Sequence, residues 1–251
     1  MILNENERIN KVNEDISLIE RSDSLTFGTD AYLLSAYLPK KASSIGVELG
    51  LGSGIISLLA LTKGKCRKIY GFEVQEDIAG ISKRNAELNG LDSRLSVICK
   101  DIREALPTDT EGEVDFVFTN PPYMKADSGK LNEISQKSAS RHELNGSIED
   151  FCACAKRLLK HGGNFYAVYR PDRMIDLLSA MRNNGIEPKK LTFIHPNTAT
   201  PPSLLLVCGK LGGKSGLVID KPAYIYNDGT QEYTAKFKKI YESCSFDEDK
   251  L

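Results

Sequence analysis

The residues best suited to do chemistry are Asn120-Pro121-Pro122-Tyr123, which follow the apolar run Val114 to Thr119. The exocyclic amine of a base is a poor nucleophile because its lone pair is delocalised into the ring, and a primary amide has the same defect. Two acceptors correct it: the Asn120 side-chain oxygen and the Pro121 carbonyl can each take one N–H, drawing the nitrogen towards tetrahedral geometry and aiming its lone pair. Each proline fixes φ and removes a donor, so that carbonyl points into the site instead of joining a ladder. Tyr123 offers a flat face for stacking the target ring, worth roughly 1–3 kcal/mol for a base. No general base is needed before attack, because the amine becomes acidic once alkylated. The motif accordingly has no neighbouring histidine.

A second motif, Glu48-Leu49-Gly50-Leu51-Gly52-Ser53-Gly54, joins a strand-like run to a helix-like one. Its glycines allow a sharp turn and close approach of a ligand to the backbone. The spacing is Gly-x-Gly-x-Gly rather than Gly-x-Gly-x-x-Gly, and an acid stands two residues ahead of the first glycine. A carboxylate there would repel a pyrophosphate but attract an ammonium and a sulfonium, which favours S-adenosyl-L-methionine over a dinucleotide. Glu73 closes the next strand, where its two oxygens can accept both ribose hydroxyls of an adenosine. Asp101 is placed to accept from the adenine amino group, with Ile102 against the ring. The two motifs together set an amine acceptor beside a methyl donor.

These residues need elements that hold them. Candidate strands are Ile45 to Leu49, Lys68 to Glu73, Leu95 to Cys99, Val114 to Thr119, Asn164 to Tyr169, Leu191 to His195 and Ser203 to Cys208. Candidate helices are Thr29 to Leu38, Ser53 to Thr62, Glu76 to Asn89, Ser147 to Lys160 and Asp172 to Asn183, with Gly90, Gly162 and Gly185 placed where a helix should end. Strands alternating with helices pair in parallel, because a parallel neighbour needs a long crossover. The fold class is therefore α/β, an open doubly wound sheet that binds ligands beyond the carboxyl ends of its strands. Two stretches break the alternation: a polar loop over residues 124–145, read as the substrate loop, and the tail from Gly209 onward.

The 251 residues, 41% hydrophobic, can close one substantial core, and residues 1–251 are read as a single domain. No run of about 18 apolar residues exists and the amino terminus is polar and acidic, so a soluble, unprocessed, cytoplasmic protein with no membrane partner is expected. Six scattered cysteines lack the Cys-x-x-Cys pairs of a zinc or redox site, so no metal is expected. A net charge of −1 argues against a general nucleic-acid binder that relies on a basic surface. Its distribution is uneven: residues 1–120 hold 14 Lys and Arg against 19 Asp and Glu, and residues 121–251 hold 19 against 15. Lys125, Lys130, Lys137, Arg141, Arg170 and Arg173 lie in the basic half and can meet phosphates, and His142 can donate to RNA.

The chain resembles the bacterial adenine-N6 methyltransferases that modify the base adjoining the anticodon of a valine tRNA. The likeness runs through Phe27-Gly28-Thr29-Asp30-Ala31-Tyr32-Leu33-Leu34, both motifs, Ser140-Arg141-His142-Glu143, Tyr169-Arg170-Pro171-Asp172-Arg173, Tyr224-Ile225-Tyr226 and Tyr233-Thr234. Thr198-Ala199-Thr200-Pro201-Pro202-Ser203 departs from it, being more proline-rich than expected. The resemblance implies a Rossmann-like class I methyltransferase whose seven strands include a last one, antiparallel, slotted between the fifth and sixth. It also implies an amino-terminal segment, residues 1–40, leading over the cofactor, with Phe27, Thr29, Asp30 and Val74 helping to hold it. The substrate implied is an unpaired adenine in tRNA, which costs less to flip than a paired one. Rival readings are a glutamine N5-methyltransferase acting on a release factor, a guanine-N2 or DNA adenine-N6 enzyme, and a catalytically silent scaffold. The first of these carries a sizeable helical domain ahead of the cofactor turn, whereas 47 residues precede Glu48 here.

Overall fold

The computed structural model describes residues 3–21, 28–121 and 146–246. An amino-terminal hairpin, β1 (Glu7–Lys11) and β2 (Ser17–Arg21), precedes helix α1 (Thr29–Tyr37). Then come β3 (Ile45–Leu49), α2 (Ile55–Thr62), β4 (Lys68–Glu73), α3 (Glu76–Leu88), β5 (Leu95–Cys99) and β6 (Val114–Thr119). After residue 145 the order is α4 (Ile148–Leu158), β7 (Leu159–Tyr169), α5 (Met174–Asn183), β8 (Ile186–His195), β9 (Leu204–Leu211), β10 (Val218–Ile219), β11 (Ala223–Tyr224) and α6 (Ala235–Ser243).

The main sheet runs β10-β8-β9-β7-β6-β3-β4-β5, with β11 also on β8. Strands β5, β4, β3, β6 and β7 pair in parallel, and β9 lies antiparallel between β7 and β8, the position the resemblance implies. The expected count of seven needs correction, because among the described residues the sheet has nine strands. The two additions, β10 and β11, are two residues each and too short to show a period in sequence.

Both faces of the sheet are covered, so its central strands are apolar on both sides. Phe116, Phe118, Tyr166, Val168 and Leu206 point into one core with α1, α2 and α6. Val117, Phe165, Ala167, Leu205 and Val207, in alternate register, point into the other with α4 and α5. Lys65, 3% exposed, closes the last turn of α1 by donating to the carbonyls of Ser35, Ala36 and Leu38 at 2.7, 3.0 and 3.0 Å.

Gly162 does not end a helix. Helix α4 runs straight into β7, and Gly162, at φ +79°, sits where the β6–β7 register shifts between Leu159 and Asn164. Gly90 and Gly185, at φ +64° and +72°, do follow α3 and α5. Cys152 and Cys154 are both buried. Among the described residues no helix is long and apolar enough to cross a membrane.

Candidate active site

Strands β3 and β6 pair in parallel as far as Leu49 and Thr119, and the Thr119 hydroxyl donates to the Leu49 carbonyl at 2.8 Å. One residue further on, the glycine turn leaves β3 and Asn120 leaves β6. The two motifs are therefore neighbours at the carboxyl edge, where such sheets bind ligands.

The turn has a left-handed backbone at Gly50, Gly52 and Gly54, with φ of +73°, +57° and +82°, which side-chain-bearing residues disfavour. Gly54 caps α2, and the first turn of that helix carries no acidic residue. A Cβ built on Gly52 meets no atom within 4 Å, so the space over the turn is open. Side chains brace the loop from beneath. The Phe72 carbonyl accepts from Gly50 and Leu51 N–H at 3.0 and 2.9 Å. Ser82 donates to the Gly52 carbonyl, and Asn85 Nδ2 donates to the Ser53 carbonyl at 3.0 Å. Ser82 and Asn85 are both fully buried.

Glu73 is 5% exposed, and its carboxylate accepts from Gly52 N–H and Gln75 N–H, each at 3.0 Å. An ionised carboxylate offers about four lone-pair sites, so each oxygen keeps acceptor capacity beyond these bonds. Glu48 is the more deeply buried of the two acids. Its carboxyl is 1% exposed, accepts from the Ser57 hydroxyl, and is pushed by burial, with a contribution from nearby Glu73, up to about 8. Burial therefore favours its protonated form, and an approaching cation would favour the ionised one.

Asp101 caps the short helix Ile102–Glu104 by accepting from Arg103 N–H at 2.8 Å, and the Arg103 guanidinium spans both its oxygens. That pairing holds Asp101 below the usual carboxylate range. Ile102 is buried 6% exposed, and Val74 is half-buried past the end of β4.

Thr29 opens α1 and Asp30 stands in its first turn. Asn120 Nδ2 donates to Asp30 Oδ2 at 3.0 Å, joining residues 90 apart in the chain. Pro121 is buried. Arg170 and Arg173 follow β7 at the same carboxyl edge, but each is paired locally, Arg170 with Asp172 at 2.9 Å and Arg173 with Asp176. Both pairs are exposed at the surface. Phe27, Pro122, Tyr123, Lys125, Lys130, Lys137, Arg141 and His142, and the loop 124–145, lie outside the described residues.

Ser57, Ser82 and Asn85 were not picked out from sequence. Ser82 and Asn85 stand three apart on one face of α3, and polar residues on the buried face of a helix are the available signal.

The donor set fits an adenosine-bearing cation: an open glycine turn, a braced carboxylate at Glu73, and a buried acid whose charge awaits a cationic partner. A model of the methyltransferase small domain family matches residues 22–183. Among curated proteins, the chain is 26% identical over 184 residues to the tRNA1(Val) (adenine(37)-N6)-methyltransferase of Bacteroides fragilis, covering 73% of this chain and 76% of that one. It is also 26% identical over 216 residues to the Shewanella halifaxensis protein of the same name, covering 85% and 82%. Among solved structures, a predicted O-methyltransferase of Agrobacterium tumefaciens superposes with TM-score 0.70 at 20% identity, covering 86% of this chain and 97% of that one. M. jannaschii TYW2 in complex with AdoMet does so with TM-score 0.54 at 14% identity, covering 84% and 87%. At these identities the solved structures speak for the fold alone.

Proposed function

Because the chain belongs to the methyltransferase small domain family, we propose that it uses S-adenosyl-L-methionine to methylate N6 of the adenine beside the anticodon in a valine tRNA. One observation carries the site: Asn120 and the glycine turn leave adjacent, in-register strands, so an acceptor nitrogen and a methyl donor bound over the turn are brought side by side. The names of the curated relatives support the tRNA adenine over the release-factor amide, the guanine and the silent scaffold.

When bound, the cofactor supplies an electrophilic methyl on a sulfonium. The remaining work belongs to the chain. Gly50, Gly52 and Gly54 admit the ligand against the backbone, Glu73 takes the ribose hydroxyls, and Glu48 ionises towards the amino group. Asp101, Val74 and Ile102 border the adenine, with Phe27 and Thr29 contributing from the amino-terminal segment. The Asn120 oxygen and Pro121 carbonyl take the two N–H groups of the target, and Tyr123, fixed in sequence by Pro122, stacks its ring. Lys125, Lys130, Lys137, Arg141, His142, Arg170 and Arg173 are assigned to the RNA. Shape must supply much of that recognition, given the net charge of −1. The proposal also takes residues 1–251 as one domain acting in the cytoplasm.

The test is incubation of the pure protein with methyl-labelled cofactor and separate pools of tRNA, rRNA, DNA and protein from cells lacking it. Label is expected in tRNA as N6-methyladenosine. Label in protein alone overturns the RNA assignment.

A further inference from the structure

An asparagine side chain presents a donor and an acceptor of nearly the same shape, and only its surroundings decide which end faces a ligand. The transfer proposed above needs the acceptor end. If the Asn120 amide were turned over, its NH2 would meet the N–H groups of the target and repel them.

We propose that Asp30 is a positioning residue that sets this choice, holding the nitrogen end of the Asn120 amide so that its oxygen is presented to the acceptor nitrogen. The inference rests on the function proposed above and moves Asp30 from the cofactor to Asn120. Asn120 Nδ2 donates to Asp30 Oδ2 at 3.0 Å. An ionised carboxylate has only acceptors, so it takes the NH2 end and rejects the carbonyl end. The bond is charge-assisted and polarises the amide, placing more electron density on the oxygen that must receive the target N–H.

Asp30 is itself held. Its other oxygen accepts from Ala31 N–H at 3.0 Å, and it stands in the first turn of α1, where the helix dipole favours a negative charge. Gly28 caps this helix without a side-chain bond, and a Cβ there would lie 2.7 Å from Asp30 Oδ1, so the glycine leaves room for the carboxylate. Helix α1 cannot easily shift, because every residue from Ala31 to Tyr37 is buried and Lys65 ties its far end. The carboxylate is thus held by a helix packed into the core, and its position does not depend on the bond to Asn120 alone.

The test compares Asp30→Ala and Asp30→Asn with the unaltered protein. Asp30→Ala is expected to lower kcat on unmodified tRNA on the order of 30-fold while leaving the Kd for S-adenosyl-L-methionine within about twofold. Asp30→Asn, whose carbonyl can still accept from Asn120, is expected to recover most of that loss. In an Asn120→Ala background, Asp30→Ala should cost nothing further, because the two act as one unit. A readout independent of any acceptor is the side-chain amide resonance of Asn120 in the 15N-labelled protein, assigned by its loss in Asn120→Ala, which Asp30→Ala should shift. Thermal melting in parallel reports any damage to the helix. The idea is overturned by cofactor affinity falling in step with kcat, by additive losses in the double variant, or by an unmoved Asn120 resonance. If no RNA accepts a methyl group, the function proposed above fails, and the resonance and cofactor Kd still decide the role of Asp30.

Discussion

The two halves of the site are braced in different ways. The glycine turn is supported from the units next to it in the chain: Ser57 on α2, Phe72 and Glu73 on β4, and Ser82 and Asn85 on α3 all lie within 40 residues of it. Asn120 is held by Asp30, 90 residues upstream on helix α1, which packs against α2, α6, β7 and β9. The bracing of the glycine turn therefore lies within β3, α2, β4 and α3. The acceptor side is completed only when α1 docks. Binding and transfer should for this reason be separable by mutation.

The largest separation is expected at Asn120→Ala, with turnover falling on the order of 100-fold or more while cofactor binding stays nearly unchanged. Isothermal titration beside a tRNA methylation assay checks both, and an equal loss of binding would put Asn120 in the cofactor pocket.

Asn85→Ala attacks the other half. Asn85 also accepts from Ile19 N–H at 2.6 Å, so it ties the hairpin to the turn, and its loss strands buried backbone groups on both. We expect about 2–3 kcal/mol lower stability in urea and weaker cofactor binding, with kcat at saturating cofactor largely kept. A variant as stable as the parent would mean the turn needs no such brace.

Glu48→Gln tests the charge on the cofactor side. With a folded value of about 8 against 4.5 for an unperturbed glutamate, Glu48 keeps its proton in the folded chain while the unfolded chain ionises. Its contribution to stability accordingly falls as pH rises from 4.5 towards 8, and then levels. A cationic ligand reverses this by favouring the ionised form. Cofactor binding at pH 7 should release a proton, read as buffer-dependent heat in titration calorimetry, and Glu48→Gln should abolish the release and weaken binding roughly tenfold. Binding heats that do not depend on the buffer would remove Glu48 from this role.

The smallest effect belongs to Gly52→Ala. At φ +57°, with open space beyond, alanine costs about 1 kcal/mol of backbone strain, and its methyl enters the space kept for the ligand. Cofactor affinity should fall several-fold with no change in the Asp30 and Asn120 pair. A loss of kcat at saturating cofactor would mean the two halves are not independent.

Four strands, β3 to β6, were legible in the sequence to the residue, because each is a short apolar run; β3, β4 and β6, largely buried on both faces, also stop at Gly50, Glu73 and Asn120. Strands β7 and β8 extend further back than their apolar portions indicate, since Leu159 pairs with Val114 ahead of a bulge and Ile186 to Lys190 pair with β9 across another. The hairpin escaped notice for a related reason. Strand β1 has no buried residue, and β2 is anchored by side chains rather than strands on its far side, with Ser17 and Ile19 bonded to Asn89 and Asn85. Helix α6 was hidden in a polar tail and forms against α1 through Phe237 and Ile240.

Sequence alone thus determined the sheet's central order of elements and the two motifs at its carboxyl edge, because apolar periodicity and the backbone demands of Gly and Pro are local properties. Tertiary structure decided the ionisation of Glu48, the pairing of Asp101 with Arg103, and the contact of Asp30 with Asn120. Those depend on which distant groups burial and docking bring within a few ångströms, and no local pattern encodes that.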